Sequence, residues 1–375
     1  MIYIHIPFCR QKCSYCNFHF STSLASKEAM VSAIKKELYL RKDELSDRNL
    51  KSLYFGGGTP SLLTVDELKS ITDEVLKYFT FDSEIEITLE GNPDDLDNKF
   101  LKELSKTEFN RLSIGIQSFF DDDLRLMNRA HNASEAESSI KRSQDFGFEN
   151  ISIDLIYGSP TSNLLLWKET LKMAIALQVP HISAYALTVE PKTALKSWIE
   201  QKKVAAPKEA EQNEDFYYLS SYLQENGFDH YEISNFGKPN FHSKHNSAYW
   251  EGKEYLGLGP SAHSYDGDRR RSWNIANNRK YIDSIEALQL PLETEILSEY
   301  DQLNEMLMIG LRTTKGVNFS LLKERFSKET LETLQQEIEA KLHEGLLIIE
   351  NDFLKIPQDH WFLADGIASD LFLVE

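Results

Sequence analysis

The sequence predicts an α/β protein, with six βα units around a parallel sheet and a smaller mixed unit at the C-terminus. Three observations carry that expectation. Residues 1 to about 190 alternate short runs rich in β-branched and aromatic residues with amphipathic segments of helical length, the pattern of parallel strands joined by crossover helices. From residue 299 the pattern changes to three successive helical segments and a hairpin. The chain of 375 residues, 41% of them hydrophobic, can bury one large core and carry an appendage.

Taken in order, the expected strands are 2–6, 51–55, 84–90, 111–116, 151–157 and 181–187, and helices are expected near 27–45, 65–79, 97–106, 134–146 and 163–178. Residues 190–215 are charged and flanked by proline, and read as a helix or linker leaving the sheet. A helix near 213–226 and a strand near 230–233 follow. Four of the ten histidines, His230, His242, His245 and His263, fall between 230 and 263. The last 75 residues or so read as helices near 299–312, 317–326 and 328–344, a hairpin over EGLLIIENDFLKIP and a helix to 373. The expected division is 1–190, 191–298 and 299–375.

The formal net charge of −18 argues against a polyanionic partner, because nucleic-acid binding needs basic surface. No apolar run approaches the roughly 20 residues that span a bilayer. The N-terminus carries neither a basic region nor a cleavage site, so secretion is not expected. A thiol-rich start fits a reducing cytoplasm.

All three cysteines, Cys9, Cys13 and Cys16, lie within YIHIPFCRQKCSYCNFHF. An odd number of thiols cannot all pair, which points to metal rather than to a disulfide framework. Soft thiolates select zinc or an iron–sulfur cluster. A structural zinc takes a fourth protein ligand, which His5 or His19 could supply, although no second Cys or His pair follows. Positions 9, 13 and 16 would also share one face of a helix as small buried hydrophobes, but Pro7 and the flanking aromatics favour a loop. Three thiolates around four irons leave one iron open, whereas a cluster that only carries electrons is normally held by four cysteines.

The stretch resembles the radical S-adenosylmethionine (SAM) superfamily, whose three-cysteine motif has an aromatic residue just before the last cysteine, here Tyr15. The resemblance implies a [4Fe–4S] cluster on Cys9, Cys13 and Cys16. It also implies that the amino and carboxylate groups of SAM chelate the open iron, and that an electron from the cluster can break the C5′–S bond. The six βα units then resemble a partial (β/α)6, TIM-like barrel with ligands at the C-terminal ends of its strands. The run Tyr3-Ile4-His5-Ile6-Pro7-Phe8-Cys9 narrows the resemblance to the branch of oxygen-independent coproporphyrinogen III oxidase and the heme chaperone HemW.

Motifs at successive strand ends extend the likeness. Gly56-Gly57-Gly58-Thr59-Pro60 lets backbone approach a ligand without a Cβ in the way, and resembles the family element that meets the methionine end of SAM. Glu90-Gly91-Asn92-Pro93 resembles the family's Glu-x-(Asn/Asp)-Pro. By the same resemblance Tyr3, Tyr15, Gly57, Gly58, Thr59, Glu90, Gln117, Arg129 and Asp154 contact SAM, Glu90 facing its ammonium. An amide and a carboxylate suit ribose or adenine, and a guanidinium suits a carboxylate.

Further on, His245-Asn246-Ser247-Ala248-Tyr249-Trp250 resembles the His-Asn-x-x-Tyr-Trp motif of the HemW branch, which implies heme at His245, Tyr249 and Trp250. Imidazole and phenolate both ligate heme iron, and an indole offers a wall for a flat macrocycle. The same rings could instead pack a β-rich lid on the barrel. The last three helices and hairpin resemble a winged-helix-like appendage.

Two departures from the oxidase favour the chaperone branch. Its fourth cysteine is replaced by Phe18, and only Met1 and Ile2 precede Tyr3 where the oxidase has an extension. The expected function is heme binding and transfer to an apo-hemoprotein acceptor, one of a respiratory chain among the candidates, with a homodimer allowed. The alternative is a coproporphyrinogen III oxidase-like enzyme of porphyrin biosynthesis, and enzymatic turnover is left open.

Overall fold

In the computed structural model, which describes residues 1–374, strands and helices alternate through the first half. They run β1 (Ile2–Ile6), α1 (Lys27–Arg41), β2 (Asn49–Gly57), α2 (Val65–Val75), β3 (Thr80–Gly91), α3 (Asn98–Leu104), β4 (Arg111–Gln117), α4 (Asp121–Leu126), α5 (Ala133–Asp145), β5 (Asn150–Tyr157), α6 (Leu164–Ala176) and β6 (His181–Ala186). The six strands lie side by side in chain order, each parallel to the next, as crossover helices require. Each expected strand and helix of this half forms. α1 ends at Arg41, short of the expected 45, because the buried Arg41 guanidinium draws Glu44 back onto itself at 2.8 Å. The short α4 was not expected.

The two faces of this sheet differ. Ile2, Ile4 and Ile6 of β1 are fully buried in a core shared with Met30, Ile34 and Leu38 of α1, while Tyr3 and His5 take the opposite face by alternation. On that face Tyr3, Tyr54, Thr88 and Arg111 stand in register across β1–β4, and Glu90, Ser113, Ser152 and His181 across β3–β6. Parallel strands usually bury apolar residues on both faces. A concave face lined with hydroxyls, carboxylates and imidazoles is therefore built to hold polar groups rather than to pack a core.

Beyond β6 come α7 (Ala194–Glu200), α8 (Glu209–Glu225), β7 (Asp229–Glu232), β8 (Asn235–Gly237), α9 (Lys244–Trp250) and β9 (Leu256–Leu258). β8 pairs antiparallel with β6 and β9 pairs parallel with β1, so the sheet grows at both edges to nine strands. β10 (His263–Tyr265), β11 (Arg270–Asn274) and, after α10 (Asn278–Glu286), β12 (Leu292–Ile296) form a separate antiparallel sheet.

The C-terminal unit runs α11 (Glu299–Leu311), β13 (Val317–Asn318), α12 (Phe319–Arg325), α13 (Lys328–His343), β14 (Ile348–Glu350) and β15 (Phe353–Lys355), with strand order β13-β15-β14. Helix, short strand, two helices and a hairpin make the winged-helix-like order. The expected final helix to 373 is instead a 3-10 turn, Gln358–Leu363, and a short α14 (Ala364–Ser369). Trp361 explains the break, since its Nε1 donates back to the carbonyl of Ile356 at 3.0 Å and tightens the turn. Among the described residues no helix is long and apolar enough to cross a membrane.

Candidate cluster and ligand site

The loop after β1 carries the three cysteines and is fastened along its length. Cys9 N–H donates to the Ser21 carbonyl at 3.0 Å, and Ser21 N–H to the Pro7 carbonyl at 2.9 Å. Ser14 donates its hydroxyl to the carbonyl of Leu126 at 2.7 Å and its N–H to that of Met127 at 3.0 Å. Asn128, in the left-handed region at φ 54°, donates to the Lys12 carbonyl at 2.7 Å and accepts from Gln11. The end of α4 and the two residues after it thus hold the cysteine loop.

Cys9, Cys13 and Cys16 line one cavity of about 190 Å³ at the C-terminal ends of β1–β4. Tyr15, Gly57, Gly58, Thr59, Gln117 and Arg129 line it with them. Thr59 donates its hydroxyl to Cys9 Sγ at 3.5 Å, and Arg129 Nη1 donates to Cys13 Sγ at 3.3 Å. Asn92 ties the two together, donating to Thr59 Oγ1 at 3.2 Å and accepting from Arg129 Nη2 at 2.6 Å. Gln117 ends β4 at φ 65°, a strained conformation for a residue other than glycine, of the kind that clusters at ligand sites.

The glycines also answer to packing within the chain. A Cβ on Gly57 would lie 2.5 Å from His5 Nδ1, and one on Gly58 would lie 2.6 Å from the carbonyl oxygen of Phe8. They are required for β2 to close on the cysteine strand, and their backbone borders the cavity as a consequence.

The donor set fits a multi-iron cluster with a zwitterionic partner. Burial pushes the Cys9 thiol up to about 11, against the pull of the Thr59 hydroxyl, and raises Cys16 too. Such thiols ionise when a metal centre takes them, releasing protons. Among the described residues no three Cys, His, Asp or Glu side chains converge as they would on a single ion. His5 is turned to Tyr3 and the His19 carbonyl, and His19 to Asn278, so neither completes a zinc set. Two buried polar atoms of cavity residues, Arg129 Nε and Asp94 Oδ1, have no hydrogen-bond partner. A guanidinium N–H and a carboxylate oxygen left open suit the carboxylate and ammonium of an amino-acid end.

The other expected SAM residues sit one layer away. Glu90 accepts from Tyr54 Oη at 2.7 Å and Gly57 N–H at 3.2 Å, and burial raises its carboxyl to about 7. Asp154 accepts from Ser113 at 3.2 Å and is raised to about 6 by the same cause. Tyr3 stacks on Tyr54, ring centroids 6.0 Å apart.

The His-Asn-x-x-Tyr-Trp segment forms α9, not the β-rich lid weighed above. Ser243 caps it, and the buried Glu86 carboxylate accepts the N–H groups of Lys244 and His245, each at 3.0 Å. His245 is 1% exposed and both ring nitrogens are engaged, Nδ1 with Ser52 Oγ at 2.9 Å and Nε2 with Tyr249 Oη at 3.2 Å. The i, i+4 spacing sets that second contact. In this conformation His245 offers no nitrogen to a metal. Tyr249 and Trp250 line a different cavity, between α9 and the C-terminal unit. The other histidines do not gather either. His230 packs on Phe236 and Trp361, and His242 pairs with Asp229.

Residues 3–174 match the radical SAM superfamily and residues 297–363 the HemN C-terminal domain. A heme chaperone HemW from Bacillus subtilis (strain 168) is 34% identical over 87% of this chain and 86% of its own. The chain belongs to the heme chaperone HemW family. A HemW from Lactococcus lactis subsp. lactis (strain IL1403) is 31% identical over 99% of this chain and 97% of its own. Coproporphyrinogen III oxidase (HemN) from Escherichia coli shares the fold at a TM-score of 0.84 and 22% identity, over 99% of this chain and 89% of that one.

In this HemW-family chain the fold brings the cysteines, Tyr15, the glycine turn, Gln117 and Arg129 to one cavity. Sequence reasoning missed Asp94 and Asn92 as partners in it. Their position directly after a strand end, inside the Glu90-to-Pro93 motif and one residue past it, was the available signal. The exposed Phe18 lines the same cavity.

Proposed function

We propose that this chain binds heme and hands it to an apo-hemoprotein. In this reading Cys9, Cys13 and Cys16 hold a [4Fe–4S] cluster and SAM binds at the iron they leave open. The carrying observation is three thiols and two orphaned polar atoms around one cavity, in a chain whose relatives of 30–35% identity are named heme chaperones. When bound, the cluster and SAM supply one-electron chemistry. Arg129 holds the SAM carboxylate while steadying Cys13, and Asp94 takes the ammonium. Gln117 and Tyr15 border the nucleoside, and Gly57, Gly58 and Thr59 the methionine end. Tyr3, Glu90 and Asp154 stand behind them, polarising and shaping the floor.

The same reading divides the chain into a radical SAM barrel over 1–190, an extension with the heme-associated α9 over 191–298, and a HemN-type C-terminal unit over 299–375. It places the protein in the cytoplasm, where thiols stay reduced, as a homodimer, and makes the acceptor a respiratory hemoprotein. The oxidase alternative has less support, since its structural likeness at 22% identity speaks to fold alone.

Anaerobically reconstituted protein is expected to take up stoichiometric hemin and pass it to an apo-acceptor, without converting coproporphyrinogen III. Conversion at a catalytic rate overturns the reading. Cys13→Ser should lose cluster iron and SAM affinity together, measured by iron analysis and equilibrium dialysis.

A further inference from the structure

A cavity of about 580 Å³ lies between the α9–β10 segment and the C-terminal unit. Its body is apolar and aromatic, with Trp250, Tyr255, Met306, Ile309 and Leu321 among its walls. Lys253, Arg271, Lys315 and Arg325 also line it, paired with Glu251, Glu305 and Asp268, so that four cations face three carboxylates in a chain whose formal net charge is −18. A positive excess around an apolar slot, on so acidic a chain, suits a flat apolar ligand with anionic edges.

One soft donor faces that slot unengaged. His263 is exposed at the start of β10, and among the described residues neither of its ring nitrogens has a hydrogen-bond partner, while its ring stacks on Trp273 with centroids 5.8 Å apart. Trp250 Nε1 is also buried without an acceptor. The competing cavities fit less well. The cysteine cavity, about 190 Å³, is too small for a macrocycle. A third, of about 450 Å³, is lined by Glu84, Glu86 and Glu149 against His242 and Lys244 alone, so carboxylates outnumber its cations.

We propose that the cleft between α9–β10 and the C-terminal unit seats the carried metalloporphyrin, with His263 ligating its iron and Lys253, Arg271, Lys315 and Arg325 facing its propionate carboxylates. This rests on the reading that the chain carries heme, and it places the ligand on β10 rather than at His245. Tyr249 and Trp250 form the inner wall, so the α9 motif shapes the cleft while its histidine stays inside the barrel. Because the walls come from two units, separating them exposes the cargo for transfer.

The test titrates the full-length, cluster-loaded protein with hemin and, separately, with iron-free protoporphyrin IX. His263→Ala should shift the Soret band and weaken hemin binding by about tenfold or more, leaving protoporphyrin binding within about twofold. Lys315→Glu combined with Arg325→Glu should weaken both probes alike, and Ile309→Trp should fill the slot and abolish both. Cluster iron and SAM affinity should stay unchanged in all three, which also reports on folding. Hemin uptake that none of these variants alters overturns the site but leaves the chaperone reading standing. Loss in Ile309→Trp without change in His263→Ala overturns the ligand assignment. Failure of the unmodified chain to take up hemin overturns the chaperone reading and this site with it.

Discussion

Glu90 is buried beneath the cavity with one phenol and one amide as its donors, and burial outweighs both, raising its carboxyl from 4.5 to about 7. The folded state therefore binds a proton more tightly than the unfolded state does. Between pH 4.5 and about 7 the unfolded chain has released that proton while the fold keeps it, so stability falls as pH rises and levels off above about 7. The full difference is roughly 3 kcal/mol. Glu90→Gln removes the term. Its stability relative to the parent should thus improve from pH 5 to pH 8, read from denaturant midpoints without SAM. A gap that does not change with pH would mean the carboxylate is already charged in the fold. Glu90 and Arg129 were legible because strand-end motifs announce them. Asp94 was not, since its open oxygen is visible only once the cavity walls are in place.

The glycine turn sets the geometry one scale up. Gly58 is pressed against the backbone of Phe8, next to Cys9, and backbone cannot move aside as a flexible side chain can. Gly58→Ala should cost about 1–3 kcal/mol and displace the cysteine loop. Lower denaturant midpoints and reduced cluster occupancy after reconstitution would both follow, and a fully stable, fully loaded variant would contradict the packing account. The barrel strands and cysteine loop could be read in advance because their signals are local, in alternating apolar runs, glycine turns and thiol spacing. α9 could not. It has seven residues, and its first turn depends on Glu86, more than 150 positions earlier in the chain. The short strands β8 and β9 exist for the same reason, each paired with a barrel strand distant in sequence.

For the molecule as a whole, the concave polar face and the extensions around it enclose several imidazoles that stay neutral. Burial lowers His5, His131 and His230 from 6.5 to about 4, and His245 to about 3. Below pH 6.5 the unfolded chain takes up these protons and the fold refuses them, so stability is lost as pH falls towards about 4. Each lowered histidine is worth on the order of 3 kcal/mol across that window. Several together reach the whole stability of a typical domain, about 5–15 kcal/mol. The cluster-free protein should therefore unfold cooperatively above pH 4 with uptake of about three or more protons, followed by circular dichroism at fixed denaturant across pH 3.5–7. Glu90, Asp154 and Asp215, with Asp95 and Glu232 raised as well, act in the opposite sense over part of this range and blunt the slope. His230 separates the terms, because it packs against Phe236 and Trp361 and is not among the residues lining the cysteine cavity. His230→Gln should lower the proton uptake by about one while leaving SAM affinity alone. If the uptake instead stays the same, the proton goes to a group other than this imidazole, and the enclosed face is wetter than its geometry implies.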